Sequence, residues 1–522
     1  MVVALPPEIL SIICELCTTS PGRCKTWERH PCTIHICCAK KTCMALRLVS
    51  REWNAASTPF VFDHIKLRLF PSSVEKFNKL CYSELAKHVK TLDFHPDLLP
   101  VWNKEAWLSN VHHRPEPPIE GRREHSLYED AYDEGARQSL STEELDAGWA
   151  AYEKHVLEQR RWRENVLDLR IMLRRTILRL PNLDRTTVAC CASPNELRRN
   201  YFLGFSQEPF LNRLAHEIIV PARSWLVWLT PEVSNTKHVE LEDACSLAYV
   251  EAISHRYTHS AAKQVKTLTL DLKSRQDFRN LLTSTAYADD FRVDYESQRQ
   301  NLLQAFVPIT DLTLRVREAA AHVHENDAHA TDIRHILQAV KSVRTLRLEY
   351  GNFFDDGMHF GISKSSYIAP QFALMPLLSK PEVTYQHLKE LFISAVVPGQ
   401  ALAGFLKLHS PTLKSLQLRR SISDNWDTVL HTIAKDLDLD HLYLYWLVEG
   451  CHNYLDGELW KFRSINDSVI HFYFEQHFYW DGTPERTHRP DCVPFGKGMR
   501  RFFDESGKLG LPFEYYKERE HC

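Results

Sequence analysis

Seven of the 14 cysteines stand within the first 43 residues: Cys14, Cys17, Cys24, Cys32, Cys37, Cys38 and Cys43, with His30 and His35 among them. Soft sulfur and imidazole ligands at such density could hold a tetrahedral zinc ion. Two features argue for reduced thiols instead. Cys14 and Cys17 fall inside an apolar helical pattern, where cysteine acts as a small buried hydrophobe. No second Cys-x-x-Cys completes a zinc ribbon. A second histidine-rich patch, His322, His324, Glu325 and His329, spells His-Glu-x-x-x-His, which puts the second ligand off the shared helical face. The chain contains no phosphate-binding GxxxxGK[ST], no GxGxxG, no GxSxG and no HExxH. No catalytic residue, metal ligand or cofactor is assigned, and no enzymatic activity is expected.

Charge argues against another class. The 522 residues carry 64 Lys and Arg against 67 Asp and Glu, a formal net charge of -3. A protein that binds nucleic acid by neutralising phosphates needs a cationic excess. The first residues lack a basic stretch followed by an apolar one, so no signal peptide is expected. No run of about 18 apolar residues predicts a membrane span. A cytoplasmic or nuclear protein with reduced thiols follows, and Asn466-Asp467-Ser468 is then incidental as a glycosylation pattern.

The elements that must position any site begin at the N-terminus. In ALPPEILSIICELC, residues 4–17, Leu5, Ile9, Ile12, Ile13 and Leu16 recur at helical spacing. Pro6 and Pro7 suit a first turn, where the missing N–H is harmless. After the Cys-rich insert 18–41, MALRLVSREWNAAS at 44–57 places Leu46, Val49 and Trp53 on one helical face, with Ser50 set to cap a turn. Helices this short are marginal alone and must be covered by something.

From residue 88 a pattern recurs: VKTLDF (89–94), VKTLTL (265–270), ITDLTL (309–314), VRTLRL (343–348), LKELFI (388–393), LKSLQL (413–418) and LDHLYL (439–444), with SVIHFYF (468–474) as a degenerate last copy. Leu-x-Leu buries alternate side chains of a strand. The shorter spacings match a leucine-rich repeat and the longer ones predict inserted helices or loops, and helical stretches at 276–306, 328–341 and 426–437 lie between the strands. The pattern predicts an α/β chain: an N-terminal helical module at 1–62, then an irregular leucine-rich-repeat solenoid over 63–474. A charged insertion at 100–140 and a long helix at 142–178, opened by the capping box Ser141 to Glu144, interrupt it. An irregular cap occupies 475–522. Outward-facing strand positions (Thr269, Asp271, Thr313, Arg315, Arg347, Glu349, Phe392, Gln417, Arg419, Tyr443, Tyr445) would line a concave face. Arg315, Arg347, Glu349, Arg419, Tyr443 and Tyr445 are the substrate-binding candidates, since Arg and Tyr dominate interface hot spots.

Leu5-Pro6-Pro7-Glu8-Ile9-Leu10 and Leu46-Arg47-Leu48-Val49-Ser50-Arg51-Glu52-Trp53-Asn54 together resemble the F-box, over roughly a tenth of the chain. The following TPFVFDHIKLRL is similar to the first strand of divergent leucine-rich-repeat members abundant in filamentous fungi. The resemblance implies an adaptor of a Skp–cullin–F-box ubiquitin ligase. Such a protein docks on the Skp adaptor of a cullin–RING ligase and holds a protein substrate, without cofactor or chemistry of its own. Carried over by position, the adaptor-facing residues are Leu5, Pro6, Ile9, Leu10, Ile13, Leu48, Val49, Ser50 and Trp53. Two alternatives stand beside it: a repeat-based interaction scaffold without a ligase role, and a zinc-dependent regulatory or nucleic-acid-binding protein built on the Cys-rich insert.

Overall fold

A computed structural model describes residues 5–19, 42–96, 98–99, 101–112, 140–189, 214, 217–218, 236–258, 262–272, 300–316, 335–350, 384–395, 397, 399–423, 425–449, 452–453, 461–462, 471–474 and 478–480. The Cys-rich segment 20–41, most of the charged insertion, the His322–His329 patch, Asn466-Asp467-Ser468 and nearly all of the expected C-terminal cap lie outside them. The chain forms two compact units, divided between Val265 and Lys266 apart from a short exchange at 286–289.

The first unit opens with α1 (Pro7–Thr19) and α2 (Arg51–Phe62), then β1 (His64–Arg68), α3 (Pro71–Cys81), a 3-10 turn, β2 (Thr91–His95), α4 (Lys104–His112), α5 (Thr142–Glu164), α6 (Val166–Ile177), β3 (Arg185–Ala189) and α7 (Thr236–Tyr257). Strands β1, β2 and β3 are parallel, with Ile65 opposite Leu92 and Leu92 opposite Thr186. Phe94 on β2 stacks on Tyr249 of α7, ring centroids 4.6 Å apart. Fully buried Gln159 of α5 accepts from the Leu99 N–H at 2.8 Å and donates to the Leu69 carbonyl at 3.2 Å, so irregular backbone is satisfied inside the core.

The single helix expected over 142–178 is two. Asn165 leaves helical geometry at φ -144°, ψ 77°. Its side chain accepts from the Asp168 N–H at 3.2 Å, capping α6, while its own N–H donates to Arg161 at the end of α5. Asparagine offers the backbone a local partner that competes with continuing the helix.

The second unit carries β4 (Thr267–Leu272), β5 (Asp311–Val316), β6 (Thr345–Tyr350), β7 (Glu390–Ser394), α8 (Gly399–His409), β8 (Ser415–Ser423), α9 (Trp426–Asp436) and β9 (His441–Glu449). A small pair follows, β10 (His452–Asn453) and β11 (Lys461–Phe462), then β12 (His471–Phe474) and β13 (Phe478–Trp480). Strands β4 to β9 are parallel, and six motif leucines stand in one register column: Leu268, Leu312, Leu346, Leu391, Leu416 and Leu442. A parallel strand paired on both sides and covered by helices buries such a column as its core.

The leucine-rich-repeat solenoid is therefore corrected. These strands join as a parallel sheet with helices, an α/β fold, and no solenoid is indicated. A solenoid needs a constant number of residues per coil, whereas the motif leucines here are 44, 34, 45, 25 and 26 residues apart; the local pattern specifies only the strand. The degenerate copy at 468–474 is no further parallel strand either. Its residues His471–Phe474 run antiparallel to β9, as does β13.

Candidate functional site

The helix α1 carries two apolar stripes with different fates. Leu10 is buried at 3% exposure and Cys14 at 0%, whereas Leu5, Ile9, Ile12 and Leu16 are 42–56% exposed. Cys14 of the buried stripe packs with Cys43 and Val61, and Leu46, Trp53, Ala56, Phe60 and Phe62 pack around them. A helix needs one apolar stripe to join a core. Among the described residues the second is left exposed.

The segment before α2 also exposes apolar side chains. Met44 is 52% exposed, Val49 65% and Leu48 89%. Leu48 and Val49 are held there by backbone bonds, their N–H groups donating to Ala45 and Leu46 at 3.0 Å each. Ser50 then caps α2: its Oγ accepts from the Trp53 N–H at 3.3 Å and donates to Glu52 at 2.6 Å. That hydrogen bond holds the Glu52 carboxyl below its usual range. Arg47 ties the turn to α2 through Asn54 at 2.9 Å and lies over the Phe62 ring. A rigid turn thus presents two large apolar side chains to solvent, where such a patch marks a contact surface.

Of the expected adaptor-facing residues, Leu5, Pro6, Ile9, Leu48, Val49 and Ser50 are exposed, Ile13 and Trp53 are half-buried, and Leu10 is core. Sequence reasoning missed Ile12, Leu16 and Met44 as members of the surface. The 3.6-residue spacing held the signal for Ile12 and Leu16, but could not say which apolar side faces inward.

Cys14 and Cys43 hydrogen-bond through their thiols. Burial pushes both thiols up, Cys43 to about 11, so they behave as core hydrophobes. Among the described residues no group of three or more His, Cys, Asp or Glu is arranged to hold a metal ion. Cys24, His30, Cys32, His35, Cys37 and Cys38 lie outside those residues.

The substrate-binding candidates stand on strands of the second unit's sheet, at positions alternate to the motif leucines. Arg347 and Tyr443 share one register row, Thr269–Thr313–Arg347–Phe392–Gln417–Tyr443. Arg347 is exposed while Phe392, Gln417 and Tyr443 are half-buried. In the next row Arg315 pairs with Glu349 at 3.0 Å, so part of its charge is already spent. Arg419 stands opposite Tyr445 on β9.

No family model matches the chain, and no curated protein matches it. No helix of the described residues is long and apolar enough to cross a membrane.

Proposed function

We propose that this chain is a substrate-recognition adaptor of a Skp–cullin–F-box ubiquitin ligase, working in the cytoplasm or nucleus. The single observation that supports it most is the exposure of Leu5, Ile9, Ile12 and Leu16 at the first helix, and of Met44, Leu48 and Val49 before the second, while Leu10, Cys14 and Cys43 are buried. Exposed apolar area is unfavourable by roughly 25 cal/mol per Å², so a partner covering this surface gains what solvent cannot give. The residue string that builds it resembles the F-box in both blocks, and the resemblance implies that this surface meets the Skp adaptor.

The chain performs no chemistry. It holds a protein substrate on its sheet-bearing body, for which the row through Arg347, Phe392, Gln417 and Tyr443 is the candidate surface. Tethering raises the effective concentration of substrate lysines near the ubiquitin-charged enzyme.

Co-purification tests the proposal. The wild-type chain retains a Skp adaptor; Leu48→Asp and Ile9→Asp, both on exposed side chains, lose it while keeping the thermal unfolding midpoint. Folded wild-type protein that fails to bind any Skp adaptor overturns the reading and leaves an interaction protein without a ligase role.

A further inference from the structure

The residue just before each motif strand of the second unit forms a second column, and most of its members are cations. In order they are Lys266, Thr310, Arg344, Lys389, Lys414 and Asp440. The backbone aligns them. Each carbonyl accepts two N–H groups from the next strand: Arg344 from Lys389 and Glu390 at 2.8 and 2.9 Å, Lys389 from Lys414 and Ser415 at 2.8 and 2.9 Å, Lys414 from Asp440 and His441 at 2.8 and 3.0 Å. Adjacent rungs are then one strand spacing apart, about 4.8 Å.

Like charges directly opposite across strands are destabilising. The rung itself does not require them, because Thr310 accepts the same pair of bonds, from Arg344 and Thr345, and Asp440 occupies the last rung. Arg344 and Lys389 are exposed, and no ion pair holds either among the described residues, while Lys414 is paired with Asp438 at 2.6 Å. Main-chain bonds lock the backbone spacing, so the stems of the cations start from adjacent rungs.

We propose that this column is an interaction surface for an acidic, extended segment of a partner protein, with Arg344 and Lys389 as the principal contacts. A peptide suits it better than a nucleic acid. The column is short, and a formal charge of -3 over the whole chain supplies no cationic excess to hold a long polyanion beyond it. Flexible lysine stems adapt to carboxylates at varied spacing, and the contact is screened by salt. The inference does not depend on adaptor docking, since it concerns the second unit alone.

The test uses the purified full chain without any Skp adaptor and a fluorescent oligoglutamate peptide at low salt. Wild type binds with an affinity that falls as salt is raised. The double variant R344E/K389E loses at least about tenfold in affinity. The variant R344K/K389R keeps binding, and Asp440→Lys, which lengthens the column, tightens it. Unchanged thermal midpoints separate these effects from misfolding. Peptide affinity untouched by R344E/K389E overturns the proposal. So does a single-stranded oligonucleotide of equal charge that binds more tightly than the peptide through the same two residues.

Discussion

Ile9 and Leu10 are chain neighbours on α1 that face opposite environments, Ile9 at 42% exposure and Leu10 at 3%. The pair separates docking from folding. Ile9→Asp changes stability by no more than about 0.5 kcal/mol. Leu10→Ala empties a buried site and costs about 2–5 kcal/mol. Denaturant midpoints, followed by hydrogen exchange at α1, distinguish the two.

A pH dependence centres on His409, the buried last residue of α8. Its Nε2 accepts the Tyr385 N–H at 3.0 Å, so the proton sits on Nδ1, which donates to the Phe405 carbonyl at 2.8 Å. Burial holds this imidazole below the ordinary 6.5, against the Phe405 bond, which works the other way. The unfolded chain therefore binds a proton first as pH falls through 6.5. Stability of the second unit declines from there down to the folded-state value and is flat below it. Unfolding free energies between pH 8 and pH 5 show this slope in wild type. His409→Gln is less stable at pH 8, by about 1–3 kcal/mol for the groups it leaves imperfectly paired, and loses the slope.

Gly399 and Gly404, both on α8, respond oppositely to alanine. A Cβ at Gly399 would run into the backbone carbonyl of Asn425, the residue that caps α9. One at Gly404 meets nothing within 4 Å. Gly404→Ala stabilises by about 0.5–1 kcal/mol through helix propensity, and Gly399→Ala destabilises. Paired thermal melts decide this, and a stabilised Gly399→Ala contradicts the close approach of the α8 N-terminus to α9.

Arg256, 1% exposed at the end of α7, serves several carbonyls at once: Ile177 at 3.0 Å, Pro181 at 3.2 Å and Lys263 at 2.7 Å from one nitrogen and 3.0 Å from another. Burial pushes its guanidinium down to about 10, which leaves it charged at neutral pH. Lysine cannot reproduce this planar fork. Arg256→Lys should cost more than about 2 kcal/mol in the first unit. A denaturation curve matching wild type rejects that role.

Thiol protection gives an independent check of the core. Cys43 is pushed up to about 11 and Cys81 to about 12 by burial, and Cys14 and Cys245 are also buried. Iodoacetamide applied to native protein at pH 8 should leave these four unmodified, and labelling should follow denaturation. Mass spectrometry of the labelled peptides reads the outcome. Rapid native alkylation of Cys43 would mean that α1 does not close over it.

What the sequence determined by itself was local. Leu-x-Leu told where strands form, because alternation depends only on neighbours two residues apart, and Leu92, Leu268, Leu312, Leu346, Leu391, Leu416 and Leu442 all lie on strands. Ser141 and Ser50 marked helix starts for the same short-range reason. Tertiary structure decided the rest. The α/β class was legible, but the repeated motif suggested a solenoid where the strands join as a parallel sheet with helices, and the Arg185–Ala189 strand carries no Leu-x-Leu to betray it. Only packing selected which apolar stripe of α1 became core, since both stripes have helical spacing and burial is settled by what lies opposite. The cation column is legible as single Lys and Arg residues, yet becomes one surface only when main-chain bonds bring residues 25 to 45 positions apart onto adjacent rungs.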